Sequence, residues 1–149
     1  MELEKEIKQE KFRSEKHKAS LNIMFTNNWL QAQTAAVMKK FNLTPQQYNV
    51  LRILKGQHPQ PAMLGQVQER MLDRMSNASR LVDKLLLKGL VERRQCPNNR
   101  RQVDIWITEK GLELLQTMED PLLRMESHLE NVTEEEAQEL SRILDKLRG

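Results

Sequence analysis

Aromatic residues fill only 4% of the 149 positions, and glycine and proline number five each. A β-sandwich needs many short strands rich in aromatics and many turns rich in glycine and proline, so this composition favours helices. A single cysteine, Cys96, excludes an intrachain disulfide framework. No apolar run approaches the ~20 residues that cross a bilayer, and the opening MELEKEIKQEKF is charged throughout. A soluble, cytoplasmic protein with no membrane partner is therefore expected. His17, His58 and His128 lie far apart without ligand spacing, so no metal site is expected. No glycine-rich phosphate loop and no nucleophile–base pairing can be read from the chain, so neither a cofactor nor an enzymatic activity is expected.

Charged residues make up 30% of the chain, and the formal net charge is +3. That charge is unevenly divided: residues 1–43 carry +3, residues 44–108 carry +6, and residues 109–149 carry −6. Positive charge on the middle segment raises affinity for phosphate, and an acidic segment set apart from it limits indiscriminate adhesion. Leu, Ile, Val and eight Met must supply the core. Methionines in such numbers suit adaptable helix packing.

The same boundaries organise the fold. Residues 1–43 are expected to hold a charged extension and an amphipathic dimerisation helix, with Leu21, Phe25, Trp29, Ala32, Ala36 and Val37 at three- and four-residue steps. Residues 44–108 are expected to form a winged helix-turn-helix lobe. It opens on Thr44-Pro45-Gln46-Gln47, a cap, a first-turn proline and the second half of a capping box. His58-Pro59-Gln60-Pro61 reads as a stiff connector, followed by a short helix over about 63–71 and a recognition helix over about 75–88 that stops at Gly89. Residues 90–96 read as a basic strand and residues 102–108 as an alternating one, with Val103, Ile105 and Ile107 towards the core, and together they make a wing. Residues 109–149 are expected to form C-terminal dimerisation helices, with a fresh start at Asp120-Pro121, or a kink there as the alternative, and a second capping box at Thr133–Glu136. The fold class is thus mainly α with a small β-hairpin wing.

Asn77, Arg80, Lys84 and Lys88 recur at helical spacing opposite Ala78, Leu81, Val82, Leu85 and Leu86. A solvated helix face would show the same cationic stripe. The wing that follows, flanked by Arg93, Arg94, Arg100 and Arg101, turns the reading towards a helix that enters a major groove. Arg74, Ser76, Asn77 and Ser79 fall near the end that meets base edges, with Asn77 able to pair with adenine and the serines with bases or phosphate. Arg80 and Lys84 would hold the phosphate backbone, and Asp83 would pair with a neighbouring cation. At the wing tip, Asn98, Asn99, Arg100 and Arg101 would reach the adjacent minor groove.

SRLVDKLLLKGLVERR (79–94) together with NNRRQVDIWITEKG (98–111) resembles the MarR family of regulators over about Leu21 to Leu147. The resemblance implies a homodimer whose terminal helices interlock, one winged lobe per subunit, and control of transcription at a pseudo-palindromic double-stranded operator. It also implies repression or activation, often relieved by a small anionic or phenolic effector, with repression favoured for this chain, and it favours Arg101 as the arginine that enters the minor groove. One position departs from the family pattern: Asn99 stands where a wing Asp usually orients the tip arginine, and Asn offers an acceptor without charge attraction. The effector site implied by the family would involve Phe25, Trp29, Tyr48 and Arg52, residues that ordinary core and dimer packing with a surface pair would equally explain. Cys96 reads as a small apolar residue of the wing, with redox sensing as the sharper alternative. Two rival functions fit the same stripe: a winged-helix protein–protein interaction module, and a nonspecific architectural DNA binder.

Overall fold

The computed structural model describes residues 1–149. A short helix α1 (Leu3–Glu6) precedes the long α2 (Glu15–Lys40), whose N-cap Ser14 accepts the His17 N–H. Next come α3 (Pro45–Gln57), strand β1 (Ala62–Met63), α4 (Leu64–Arg70) and α5 (Ala78–Leu87). The wing is β2 (Val91–Cys96) and β3 (Asn99–Ile107), after which α6 (Glu109–Met125), a 3-10 segment over Glu126–Asn131 and α7 (Glu134–Arg148) complete the chain.

Local chemistry sets several of these boundaries. Thr44 accepts the Gln47 N–H at 3.1 Å while the Gln47 side chain accepts the Thr44 N–H at 3.2 Å, so α3 opens on a reciprocal capping box. Thr133 and Glu136 repeat the arrangement at α7. Gly89 ends α5 at φ +70°, a left-handed conformation that costs glycine little.

Three departures from the sequence reading have physical reasons. A strand lies between the connector and α4: Ala62 and Met63 pair antiparallel with Ile105 and Asp104, completing a three-stranded sheet of order β1-β3-β2. Two residues just after a proline-rich connector are too short to show a period. The helix expected to restart at Asp120-Pro121 does not. Helix α6 runs through Pro121, because Leu115 and Met118 before it and Leu122 after it pack on the core. That packing outweighs the ~3 kcal/mol that an interior proline costs. The second wing strand begins at Asn99, not Gln102, so Pro97 and Asn98 alone make the turn.

One core binds the lobe together. Val50, Leu51 and Leu54 of α3, Val67 of α4, Val82 and Leu85 of α5, and Ile105 of β3 are almost fully buried against one another. Each contributes about 1.5–3 kcal/mol by leaving water. Met38 near the end of α2 and Met118 of α6 join the same cluster, which fixes the lobe to the long helices. Beyond that junction the terminal helices are bare. Met38 is the only buried residue of α2, and α7 has none, while Ile23, Met24, Leu123, Leu140, Ile143 and Leu147 are exposed.

Candidate nucleic-acid interface

Helix α5 starts later than its sequence pattern suggested. Asn77 is its N-cap, and the Asn77 Oδ1 accepts the Arg80 N–H at 3.1 Å. Ser76 and Asn77 can both cap, and the second does so here. From that start, Ala78, Val82 and Leu85 are buried, while Ser79, Arg80, Asp83 and Lys84 are exposed along the opposite face.

The turn before α5 is held by side chains that the sequence reading missed. Gln68 of α4 donates from Nε2 to the Ser76 carbonyl at 2.8 Å and accepts the Ala78 N–H at 2.9 Å. The Asn49 side chain accepts the Leu72 N–H at 2.9 Å, and the Asp73 carboxylate accepts the Met75 N–H at 2.9 Å. Gln68 lies on α4, Asn49 on α3 and Asp73 in the turn itself, and nothing in their spacing marks them.

The cations divide into two groups. Arg93 of β2 forms an ion pair with Asp83 of α5 at 2.5 Å, which gives Asp83 the cationic partner expected for it and ties the wing to the helix. Arg94 lies over the Trp106 ring at 5.5 Å and beside Glu92 at 3.5 Å. Lys88 departs from the expected stripe: its ammonium turns back to the Asn42 carbonyl and to the Gln47 Oε1 at 3.0 Å, joining the end of α5 to the start of α3. Arg74, Arg80, Lys84, Arg100 and Arg101 form no ion pair within the chain and are exposed. Such uncompensated charges on one lobe are what a polyanion finds.

At the wing tip the register slips between Gln95 and Cys96, and the Gln95 amide donates to the Arg100 carbonyl. Asn99 accepts the Arg101 backbone N–H at 3.1 Å, so the residue at the family's Asp position orders the arginine's main chain. Strand alternation puts Arg100 and Arg101 on opposite faces of the hairpin. Arg101 lines the groove shared with Gln66 and Glu69 of α4. Asn98 is exposed in the turn, and Cys96 is partly buried.

The four residues of the implied effector site are placed less coherently. Trp29 meets the His128 ring edge-on at 4.9 Å, and His128 is held by the Met125 carbonyl through Nδ1 at 2.9 Å. Tyr48 is half-buried beside the exposed Arg52; burial raises its phenol above the usual range, Arg52 opposes that, and Glu126 and Glu119 add to it. A cleft of about 570 Å³ beside α2 is lined by Leu30, Gln31, Thr34, Asn49 and Leu72 among others, and a second of about 390 Å³ by Val37, Pro121 and Met125 among others. Neither cleft includes Phe25, Trp29, Tyr48 or Arg52.

A capped helix with a buried back, a two-stranded wing braced to it and five unpaired cations define a winged helix-turn-helix DNA-binding protein. Comparison with known proteins narrows the class. The MarR family description matches residues 43–103. The HTH-type transcriptional regulator MhqR of Bacillus subtilis is 30% identical over 109 residues, covering 72% of this chain and 74% of the relative. The chain belongs to the MarR family of transcriptional regulators. Among solved structures, the MarR transcription factor of Planctomyces limnophilus is 33% identical with a TM-score of 0.68, covering 91% of this chain and 98% of that one. A cysteine-to-serine mutant of Escherichia coli MarR, solved with operator DNA, shares the fold at a TM-score of 0.74 and 20% identity, covering 99% of both chains.

Proposed function

We propose that the chain is a homodimeric, sequence-specific repressor that works in the cytoplasm on a pseudo-palindromic operator. The observation that carries the proposal is the set of unpaired, exposed cations Arg74, Arg80, Lys84, Arg100 and Arg101 around the start of a recognition helix whose own cap is satisfied. In this reading Asn77 and Ser79 meet base edges, whereas the Ser76 hydroxyl expected beside them is buried in the turn and does not reach DNA. Arg80 and Lys84 grip phosphate, and the tip residues Asn98 to Arg101 enter the flanking minor groove. The bare apolar faces of α2, α6 and α7 supply the surface on which two copies clasp. Two recognition helices so joined would read half-sites about ten base pairs apart.

Release by a small anionic or phenolic effector belongs to the same proposal. A ligand that favours a lobe spacing mismatched to the half-sites lowers affinity by its differential binding to the two spacings. Selection of bound sequences from a random duplex pool tests the reading, and enrichment of one inverted repeat is expected. Binding that ignores sequence would instead make the chain an architectural protein, and no binding in dilute salt would leave a protein–protein module.

A further inference from the structure

Met75 is the most exposed large hydrophobic side chain of the protein, at 92%. It is not on a loose loop. Its N–H is held by the Asp73 carboxylate, the Ser76 N–H by the Asp73 carbonyl at 3.1 Å, and the Ser76 carbonyl by Gln68. A fixed backbone therefore presents a bare thioether two residues before the cap of the recognition helix. Arg74 precedes it, and the helix cations Arg80 and Lys84 follow. The neighbouring Leu72 is nearly as exposed at 89%, but it lines the cleft against α2, which Met75 does not.

We propose that Met75 is a specificity-determining residue that seats its side chain on the 5-methyl group of a thymine in the major groove. This rests on the DNA-binding reading above and names the base it selects. In the major groove only thymine displays a methyl group, and apolar side chains recognise it by contact. An unbranched, polarisable side chain adapts to such a contact readily. A protein partner with an apolar pocket is the other occupant to consider, and the cations on either side of Met75 favour the polyanion.

Asn77 supports the same base. Its Oδ1 already accepts the Arg80 N–H, so its amide hydrogens are the part of the side chain left wholly free to read DNA. The two-pronged pairing with adenine would have to share that oxygen with the cap, whereas donation from the amide alone leaves the cap as it is. A donor beside an apolar group matches the thymine edge, where the O4 acceptor adjoins the methyl.

The test uses the selected operator with each thymine replaced in turn by uracil, which removes the methyl alone. Binding by the full-length protein is compared with that of Met75→Ala, a change at an exposed site outside the core. One symmetry-related pair of replacements is expected to weaken the unsubstituted protein about four-fold per half-site, or ~15-fold for both, as loss of one buried methyl implies. Met75→Ala should bind the thymine operator correspondingly more weakly and be indifferent to uracil at that pair. Equal sensitivity of both proteins to uracil, or none in either, overturns the assignment while leaving the operator intact. A change in self-association caused by Met75→Ala, without a change in base preference, also overturns it. Failure to select any operator sinks the DNA-binding reading itself and this inference with it.

Discussion

Gln68 clasps Ala78 across the helix-turn-helix: its Oε1 accepts the first N–H of the recognition helix at 2.9 Å while its amide donates to the Ser76 carbonyl at 2.8 Å. One side chain thus fixes both the last turn residue and the first helical one. The helix is aimed by α4 before any contact with DNA.

Gln68→Ala should therefore lower stability by about 1–3 kcal/mol, because two partly buried backbone groups lose their partner. Gln68→Glu keeps the acceptor for Ala78 and loses the donor to Ser76, so its loss should be intermediate. Urea denaturation of both variants measures this. Equal stability of all three proteins would show that water replaces the clasp without cost.

Gly111 and Gly56 should respond in opposite directions to alanine. A Cβ on Gly111 would lie 2.5 Å from the Leu90 carbonyl oxygen and 2.7 Å from Ile107 Cγ1, where the backbone of the wing meets α6. The junction cannot move freely, since Thr108 donates to the Gly89 carbonyl at 2.8 Å and accepts the Gly111 N–H at 3.1 Å. Gly111→Ala should cost about 1–3 kcal/mol by overpacking. Gly56, inside α3 with nothing within 4 Å, should gain about 0.5–1 kcal/mol as alanine. Thermal melting of the two variants gives the signs directly.

How far the sequence foretold this geometry depends on whether the deciding interaction was local. Both Thr-led capping boxes and the Gly89 stop are short-range chemistry, and they stand where their residues put them. The recognition helix was legible as an amphipathic period, but its first residue was not. Ser76 and Asn77 are equally good caps, and a contact from α4, ten residues before Ala78, settles the choice. Lys88 shows the limit of periodicity. It keeps the spacing of the cationic stripe, yet its ammonium is drawn to Asn42 and Gln47, more than forty residues earlier in the chain. Strand β1 and the unbroken α6 failed to show for the same reason, since pairing with β3 and packing on the core are non-local.

That distinction predicts two kinds of lysine. Lys84→Met should weaken operator binding and reduce the slope of log K against log salt by about one for each phosphate no longer gripped, or ~2 for a dimer. Lys88→Met should leave the slope unchanged and lower stability instead, because its partners are Asn42 and Gln47. Fluorescence anisotropy over a salt series, paired with urea denaturation, separates the two effects. A reduced slope for Lys88→Met would mean that the ammonium leaves its intrachain partners when DNA arrives.

Tyr48 is the only tyrosine, so its ionisation can be followed without assignment. Burial favours the neutral phenol in the folded protein and holds its pKa above the ordinary tyrosine value. A raised folded pKa contributes stability that is complete below the unfolded pKa and is lost as pH climbs through the folded one. Stability should therefore decline above about pH 10, and Tyr48→Phe should remove that part of the decline. Tyrosinate absorbance of the folded protein should show a midpoint above that of the protein in urea. Coincident midpoints would place the phenol in free contact with water.

The exposed leucines of the terminal helices set up the last expectation. Leu140 is 54% exposed, Ile143 48% and Leu147 68%, on a helix with no buried residue of its own. Replacing Leu140 and Ile143 by Lys removes nothing from the lobe's core, whose members end at Met118. If two copies clasp through this face, the double variant should sediment as a monomer and retain most of its helical circular dichroism. A monomer offers one recognition helix instead of two, so the gain from joining half-sites is lost and operator affinity should fall by about 10²-fold or more, on the order expected for linked sites. Phosphate contacts per lobe remain, so weak binding to random duplex should persist in dilute salt. A variant that stays dimeric, or a native protein that sediments as a monomer, would assign these apolar side chains to another role and remove the clasp from the mechanism.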